Sequence, residues 1–479
     1  MKKEEQHLET LFKRRFGDDP ISFNPLPNSG SYRQYYRLNG RETTAMGVVN
    51  EDRSENEAFI SFTQTFLEAG LPVPEILGEA LEDHCYLISD LGDMTLFRYL
   101  TGVRQERIDF PDELAGLYRN VLQILPKFQI EAGAKIDYSK CYPRQAFDRQ
   151  SMMWDLNYFK YYFLKLATVP YNEQALEDDF ETFTRFLLEA PSGFFMYRDL
   201  QSRNIMLVNE DPYFIDYQGG RKGALQYDVA SLLYDAKADI PQDIRDQLLV
   251  FYLDALESYL PGKREEFLTF FPGFVLIRIL QAMGAYGFRG YYEKKRHFLQ
   301  SIPFAVSNLR NLYGLWMESE SNPRLPTLMK VLDHIIGNPS FQHPESVSQG
   351  LTVTINSFSY KNGIPEDHTE NCGGFVFDCR ALPNPGRYED YLQLTGKDQQ
   401  VIDFFQREDA VAEFMKHVWL IIDQSILNYL SRDFQHLFVN FGCTGGQHRS
   451  VYFAAKLALY LKGRKNVNIV VNHRDLPLT

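Results

Sequence analysis

The stretch from Phe195 to Asp216 constrains this chain more than any other. It reads Phe195-Met-Tyr-Arg-Asp199-Leu-Gln-Ser-Arg-Asn204-Ile-Met-Leu-Val208, and then Tyr213-Phe-Ile-Asp216. A loop bears Asp and, five residues later, Asn, and a following strand ends in a second Asp. Phosphoryl transfer needs an acceptor for a hydroxyl proton and oxygen ligands that hold magnesium against the ATP phosphates. The spacing supplies all three: Asp199 as catalytic base, Asn204 as a metal ligand and Asp216 as the main metal ligand. Two unrelated loop acids, one capping a helix and one ending a strand, would explain neither the spacing nor the apolar strand Ile205–Val208 between them.

With 479 residues, 44% of them apolar and 24% charged, the chain is globular in composition and too long for one core, so two or three compact units are expected. The formal net charge of -13 argues against binding nucleic acid or an anionic membrane through bulk charge. Met1–Arg15 is charged and has no apolar leader region, and no run reaches the roughly 18 apolar residues of a membrane span, so the expectation is a cytoplasmic chain without a membrane partner. The five cysteines, Cys85, Cys141, Cys372, Cys379 and Cys443, suit neither a disulfide framework nor paired zinc ligands, and read as reduced thiols.

Residues 1–93 read as a strand-rich lobe, with short runs at Tyr35–Leu38, Thr44–Val49 and Cys85–Ile88 and one helix over Asn56–Ala69 that ends at Gly70. From 94 to 337 the pattern is mainly helical, with aromatic-rich stretches at Trp154–Leu166, Asp243–Tyr259 and Phe274–Tyr286. Asn338–Gly350, rich in Pro, Ser, Gly and Asn, reads as a linker. From 351 to 479, strands at Leu351–Ser357, Gly374–Asp378, His436–Phe441 and Asn466–Val471 alternate with helices at Val401–Tyr429 and Arg449–Lys462, the order of an α/β domain.

The segments Tyr197–Val208, Ile215-Asp-Tyr-Gln218 and Gly223-Ala-Leu-Gln-Tyr-Asp228-Val-Ala-Ser-Leu-Leu-Tyr-Asp235 resemble the aminoglycoside phosphotransferase and choline kinase superfamily. Within it the resemblance is strongest to N-acetylmuramate/N-acetylglucosamine anomeric kinases. It implies an α+β, protein-kinase-like two-lobe fold, with Asp228 supporting the catalytic loop, Gly30 and Ser31 in a phosphate-covering turn, and Ser89 and Asp90 at a hinge beside adenine. It also implies ATP and Mg2+ as cofactors, and a sugar or amino-sugar hydroxyl as acceptor, the anomeric one included. Arg144, Arg149, Asp155 and Gln218 are the acceptor-binding candidates, since polar groups among aromatic faces suit a sugar ring. One departure stands out: the third-strand run Thr44-Ala-Met-Gly-Val-Val49 has no Lys to hold the phosphates. Glu57 would then be what remains of the usual Lys–Glu pair, and Arg33 or Arg53 would reach the nucleotide instead. Two alternatives stay open, a kinase for another small hydroxyl compound and a non-catalytic nucleotide- or phosphosugar-sensing adaptor.

Phe441-Gly-Cys443-Thr444-Gly445-Gly446-Gln-His448-Arg449-Ser450-Val451 joins a strand to a helix through glycines, which suits an anion site built from backbone N–H groups, a helix start and Arg449. Together with Ser357–Pro365, Phe377–Pro385, Leu394-Thr-Gly396 and His473-Arg-Asp-Leu476, it resembles the C-terminal domain of RapZ. That resemblance implies a phosphosugar ligand and raises RNA as a further partner. Cys443 and Arg449 also have the Cys-x5-Arg spacing of cysteine phosphatases, though no acid is evidently placed to protonate a leaving group. His473-Arg-Asp475 imitates a catalytic loop but has no downstream Asn or metal-binding Asp.

Overall fold

The computed structural model describes residues 3–26, 33–106, 110–342, 350–366, 374–431, 434–464 and 466–476. The chain divides into two compact units, Met1–His343 and Pro344–Thr479. Gly30, Ser31 and Cys372 lie outside the described residues.

The first unit opens with helix α1 (Lys3–Phe16) and a five-stranded antiparallel sheet: β1 (Ser22–Pro25), β2 (Gln34–Asn39), β3 (Thr44–Val49), β4 (Ile76–Ala80) and β5 (Cys85–Ser89), in the order β1-β2-β3-β5-β4. Helix α2 (Arg53–Glu68) follows β3 and starts at Asp52, whose carboxylate accepts the Glu55 N–H. Strand alternation divides the sheet between two cores. Tyr86 and Ile88 face α2 and the helical lobe, whereas Cys85 and Leu87 face Leu8, Leu11 and Phe12 of α1. The charged run at the start of the sequence is therefore an amphipathic helix. Its apolar stripe fits because β3 carries Gly47, where a Cβ would lie 2.8 Å from Leu8.

The helical lobe contains α3 (Leu96–Glu106), α4 (Asp112–Pro126), α5 (Arg149–Tyr158), α6 (Glu173–Leu188), α7 (Gln226–Leu233), α8 (Gln242–Glu257), α9 (Arg264–Gly287), α10 (Ile302–Glu318) and α11 (Pro326–Gly337). Between α6 and α7 lie two small antiparallel ladders. One pairs β6 (Phe194–Met196) with β9 (Arg221–Gly223), and the other pairs β7 (Ile205–Val208) with β8 (Asp211–Phe214). The order is thus a sheet lobe followed by a helical lobe, the α+β order expected from the sequence. The helical segment Arg264–Tyr292 is long and apolar enough to cross a membrane, but 67% of its most apolar window is buried within the protein, which makes it a core helix. The expected linker starts later than its composition suggests, because Phe341 is buried against Phe163 in this unit's core.

The second unit is a parallel sheet of β10 (Leu351–Ser359), β11 (Gly374–Asp378), β12 (His436–Cys443) and β13 (Val467–His473), in the order β11-β12-β10-β13. Helices α12 (Gln399–Gln406), α13 (Asp409–Ser431) and α14 (Arg449–Leu461) connect the strands, so the single helix expected over 401–429 is divided. Asparagines cross the sheet in register: Asn472 donates to Asn356 Oδ1 at 3.2 Å, Asn356 to Asn440 Oδ1 at 2.8 Å, and Asn440 to the Phe375 carbonyl at 3.1 Å. Paired in this way, the buried amides of Asn356 and Asn440 pin strand register.

In α9, Gly284 and Gly287 lie against the helical segment that continues α5. A Cβ at 287 would sit 2.1 Å from the Tyr162 carbonyl oxygen, and one at 284 would sit 2.9 Å from the Phe159 nitrogen. Since backbone cannot give way as a side-chain tip can, Gly287→Ala is expected to destabilise the protein by about 1–3 kcal/mol, measured by urea unfolding.

Candidate functional site

The loop after β6 is held from beneath by one acid. Asp228, fully buried in the first turn of α7, accepts the N–H groups of Tyr197 at 2.9 Å and Arg198 at 3.0 Å, and the Gln129 side-chain amide at 3.1 Å. Burial pushes its carboxyl up to about 7 against the pull of these donors. Arg198 adopts a left-handed φ of 81° and forks onto Asp155 at 2.7 and 2.8 Å, with its guanidinium 5.0 Å from the Phe147 ring and 5.1 Å from Tyr227. Beyond the loop, Ser202 donates its hydroxyl to Asp235 at 2.6 Å. Residues on both sides of Asp199 are thereby fixed. Tyr197 donates its hydroxyl to the Ile215 carbonyl at 2.5 Å and so ties the loop to the segment bearing Asp216.

Asn204 joins the parts. Its side-chain amide donates to the Asp199 carbonyl at 2.8 Å and to Asp216 Oδ2 at 3.2 Å, while Gln218 donates to Asp216 Oδ1 at 2.7 Å. Asp216 also has a left-handed φ, 69°. Burial, and then the charge of Asp199, raise its carboxyl to about 6. Two carboxylates that feel each other in this way, with amide oxygens nearby, form a donor set that favours a cation. Among the described residues no group of three or more His, Cys, Asp or Glu side chains is arranged to hold an ion. A magnesium ion carried in with phosphates needs only one or two protein carboxylates.

Several expected site residues are engaged elsewhere. Glu57 pairs with Arg53 and Lys140, and the α2 acid that faces the loop is instead Glu55, which receives Arg33 at 2.9 Å. Two residues are about half a helical turn, so 55 and 57 point to opposite sides of α2, and the identity of the inward acid depends on where α2 begins. Arg33 also lies 3.9 Å from Asp216. Asp90 accepts Arg37 at 2.6 Å, and Ser89 accepts the Glu75 N–H at 2.9 Å while its own N–H donates to the Glu75 carbonyl at 3.0 Å. Arg144 is paired with Asp148 and Arg149 with Glu181, so neither guanidinium is turned to the loop as an acceptor ligand; Asp155 is committed to Arg198. Gln218 stays at the centre, its Oε1 buried without a partner. Sequence reading missed Glu55 and Asn50, whose amide donates to Glu55 at 3.2 Å.

In the second unit, the glycine-rich loop runs from the end of β12 into α14. Gly446, at a left-handed φ of 69°, donates its N–H to the buried Cys443 sulfur at 3.2 Å, and the Ser450 hydroxyl lies 3.1 Å from the same sulfur. Ser359 donates to the Thr444 carbonyl at 2.7 Å, and His448 Nε2 donates to the Tyr391 carbonyl at 2.8 Å. Gly445 is open, with no atom within 4 Å of a Cβ built there. Arg449 does not point its whole fork outward, because one terminal nitrogen donates to the Arg380 and Leu382 carbonyls at 2.9 and 3.1 Å; its Nε is buried without a partner. His473 and Asp475 latch the loop's neighbours: His473 bonds the Ser357 hydroxyl at 2.8 Å, and Asp475 accepts the Ser359 N–H at 2.6 Å. Burial pushes the His473 imidazole down to about 4, in keeping with a neutral structural role.

Two lobes, one of sheet and one of helices, flank the loop that brings Asn204 to Asp216 and to the backbone of Asp199. The phosphotransferase enzyme family model matches residues 24–267, and the chain belongs to that family; residues 351–477 match the RapZ C-terminal domain. Similar curated proteins include a nucleotide-binding protein of Cupriavidus metallidurans, 36% identical over 181 residues (37% of this chain, 58% of that protein). Another is a nucleotide-binding protein of Thermotoga neapolitana, 38% identical over 129 residues (27% of this chain, 44% of that protein). The chain thus spans about half the length of these relatives. Similar solved structures include a choline kinase from Cryptosporidium parvum (10% identity, 68% of this chain and 99% of that one, TM-score 0.45). The choline kinase LicA from Streptococcus pneumoniae is another (14% identity, 64% and 99%, TM-score 0.41).

Replacing Asp228 by Ala leaves two buried N–H groups without an acceptor. The expected cost is about 2–5 kcal/mol in urea unfolding, since each unmade bond costs ~1–3 kcal/mol.

Proposed function

We propose that this protein is an ATP-dependent kinase for a sugar or amino-sugar hydroxyl, and that its second unit binds a phosphorylated sugar. The observation that carries the first part is the meeting of Asn204 with Asp216 and with the backbone of Asp199. In this reading Asp199 takes the proton of the attacking hydroxyl as its oxygen bonds to the γ-phosphorus and the bond to ADP breaks. Asn204 and Asp216 hold Mg2+, which when bound neutralises charge on the phosphates. Arg198, locked to Asp155, keeps Asp199 in place. Gln218, with an unpartnered Oε1 beside the loop, is the acceptor contact retained from the sequence reading. Labelled ATP offered with a panel of sugars and amino sugars is expected to give transfer that falls about 10²- to 10⁴-fold in Asp199→Asn, the range a general base contributes. An acid-labile product would identify the anomeric position. Labelling of amino alcohols or antibiotics and not of sugars would move the acceptor class, and no transfer to any of them would remove the kinase reading.

For the second unit, the open Gly445, the start of α14 and the unpartnered Arg449 Nε support a phosphate site. The names of the nucleotide-binding relatives keep a nucleotide among the ligands to be tried. Titration of the full chain with glucosamine phosphate is expected to show binding that weakens about 10-fold in Arg449→Met while Asp199→Asn leaves it unchanged. Equal binding by Arg449→Met and wild type would argue against this site.

A further inference from the structure

We infer that Arg33 is the cation that grips the nucleotide phosphates in place of the absent third-strand lysine, with Glu55 as the residue that positions it. The inference rests on the kinase reading above and names the part which that reading leaves unfilled.

A kinase site needs a cation beside the metal-binding Asp, held by an acid on the first helix of the sheet lobe. The run Thr44-Ala-Met-Gly-Val-Val49 offers none from β3. Arg33 stands immediately before β2, whose first residue, Gln34, pairs with Val49 at the end of β3. It therefore enters the same region from the neighbouring strand. Its guanidinium is only 2% exposed, and burying such a charge is costly unless it is paired. Glu55 is the pair: Oε2 lies 2.9 Å from Arg33, accepts the Asn50 amide at 3.2 Å, and sits on the first turn of α2 behind the Asp52 cap. The other terminal nitrogen of Arg33 lies 3.9 Å from Asp216 Oδ1, beyond hydrogen-bond length, so the two are neighbours rather than direct partners. The charge of Arg33 is nevertheless felt at Asp216, where it opposes the upward push of burial and Asp199. A guanidinium suits phosphate oxygens and a carboxylate suits the metal, so the neighbouring pair divides a metal-bound polyphosphate between them.

The same geometry decides against Arg53. It is half exposed on the outer face of α2, with its nitrogens on Glu57 and Glu82. Glu57, the acid first expected in this role, belongs to that outer network together with Lys140.

The test compares ATP, ADP and adenosine binding to the full chain by calorimetry, with Mg2+ present, alongside ATP-dependent kinetics. Arg33→Met is expected to weaken ATP and ADP about 10- to 100-fold, the loss that goes with a charge-assisted contact, and to leave adenosine within about 2-fold. Arg33→Lys should restore part of the loss. Glu55→Gln should raise KM for ATP more than it lowers kcat, and Arg53→Met should match wild type. If wild type binds ATP and Arg33→Met binds it equally, or if adenosine is lost in parallel with ATP, the inference is overturned while the kinase reading stands. If Arg33→Met does not melt cooperatively, Arg33→Lys and Glu55→Gln decide, and an unchanged ratio of ATP to adenosine affinity in both overturns it. A wild-type protein that binds none of the three ligands overturns the kinase reading and the inference together.

Discussion

The site depends on a carboxylate taken out of water. Asp228 is fully buried, and such a group is tolerated only where its oxygens are taken up by donors. Here the donors are the backbone of Tyr197 and Arg198, so the energy that would be lost in desolvation is tied to a single loop conformation. The strained left-handed φ at Arg198 persists because the Asp155 fork, two aromatic faces and Asp228 over-determine it. A side chain flanked in this way, as Asp199 is, is held in one orientation before any ligand arrives.

A second linkage runs between the lobes of the first unit. Tyr217, next to Asp216, is fully buried, shares a 2.6 Å hydrogen bond with Thr63 of α2, and stacks on Phe59 of the same helix with ring centres 5.1 Å apart. Phe66, also on α2, meets Tyr217 edge-on at 5.1 Å. The helix that presents Glu55 to Arg33 is therefore packed directly against the segment that presents Asp216, and displacement of one disturbs the other.

The second unit achieves its loop by other means. Its sheet is parallel, so the glycine turn at the end of β12 opens into α14, whose first N–H groups have no carbonyl partner within the helix. Asp475, from a motif that looks like a catalytic loop in sequence, works as a clamp on the Ser359 backbone. Likeness of three consecutive residues carried no functional information there; the surrounding residues did.

Legibility followed the range of the interactions. Apolar periodicity located β3, β5, most of α2 and the four strands of the second unit, because each depends on neighbours along the chain. Charge hid α1, whose three buried residues only make sense once Gly47 offers them a groove. The Asp199–Asn204–Asp216 spacing and the Asp228 position were readable because a loop and its hairpin bring them together over 30 residues. What sequence by itself determined was this local set of chemical groups, together with the two-domain order and the absence of a third-strand lysine. Only tertiary structure decided which ion pairs form: Arg33 with Glu55, Arg198 with Asp155, and Arg144, Arg149 and Glu57 with partners away from the loop. The physical reason is that a charged side chain has several partners within reach of its flexible stem, and burial, which is set by the whole fold, selects among them.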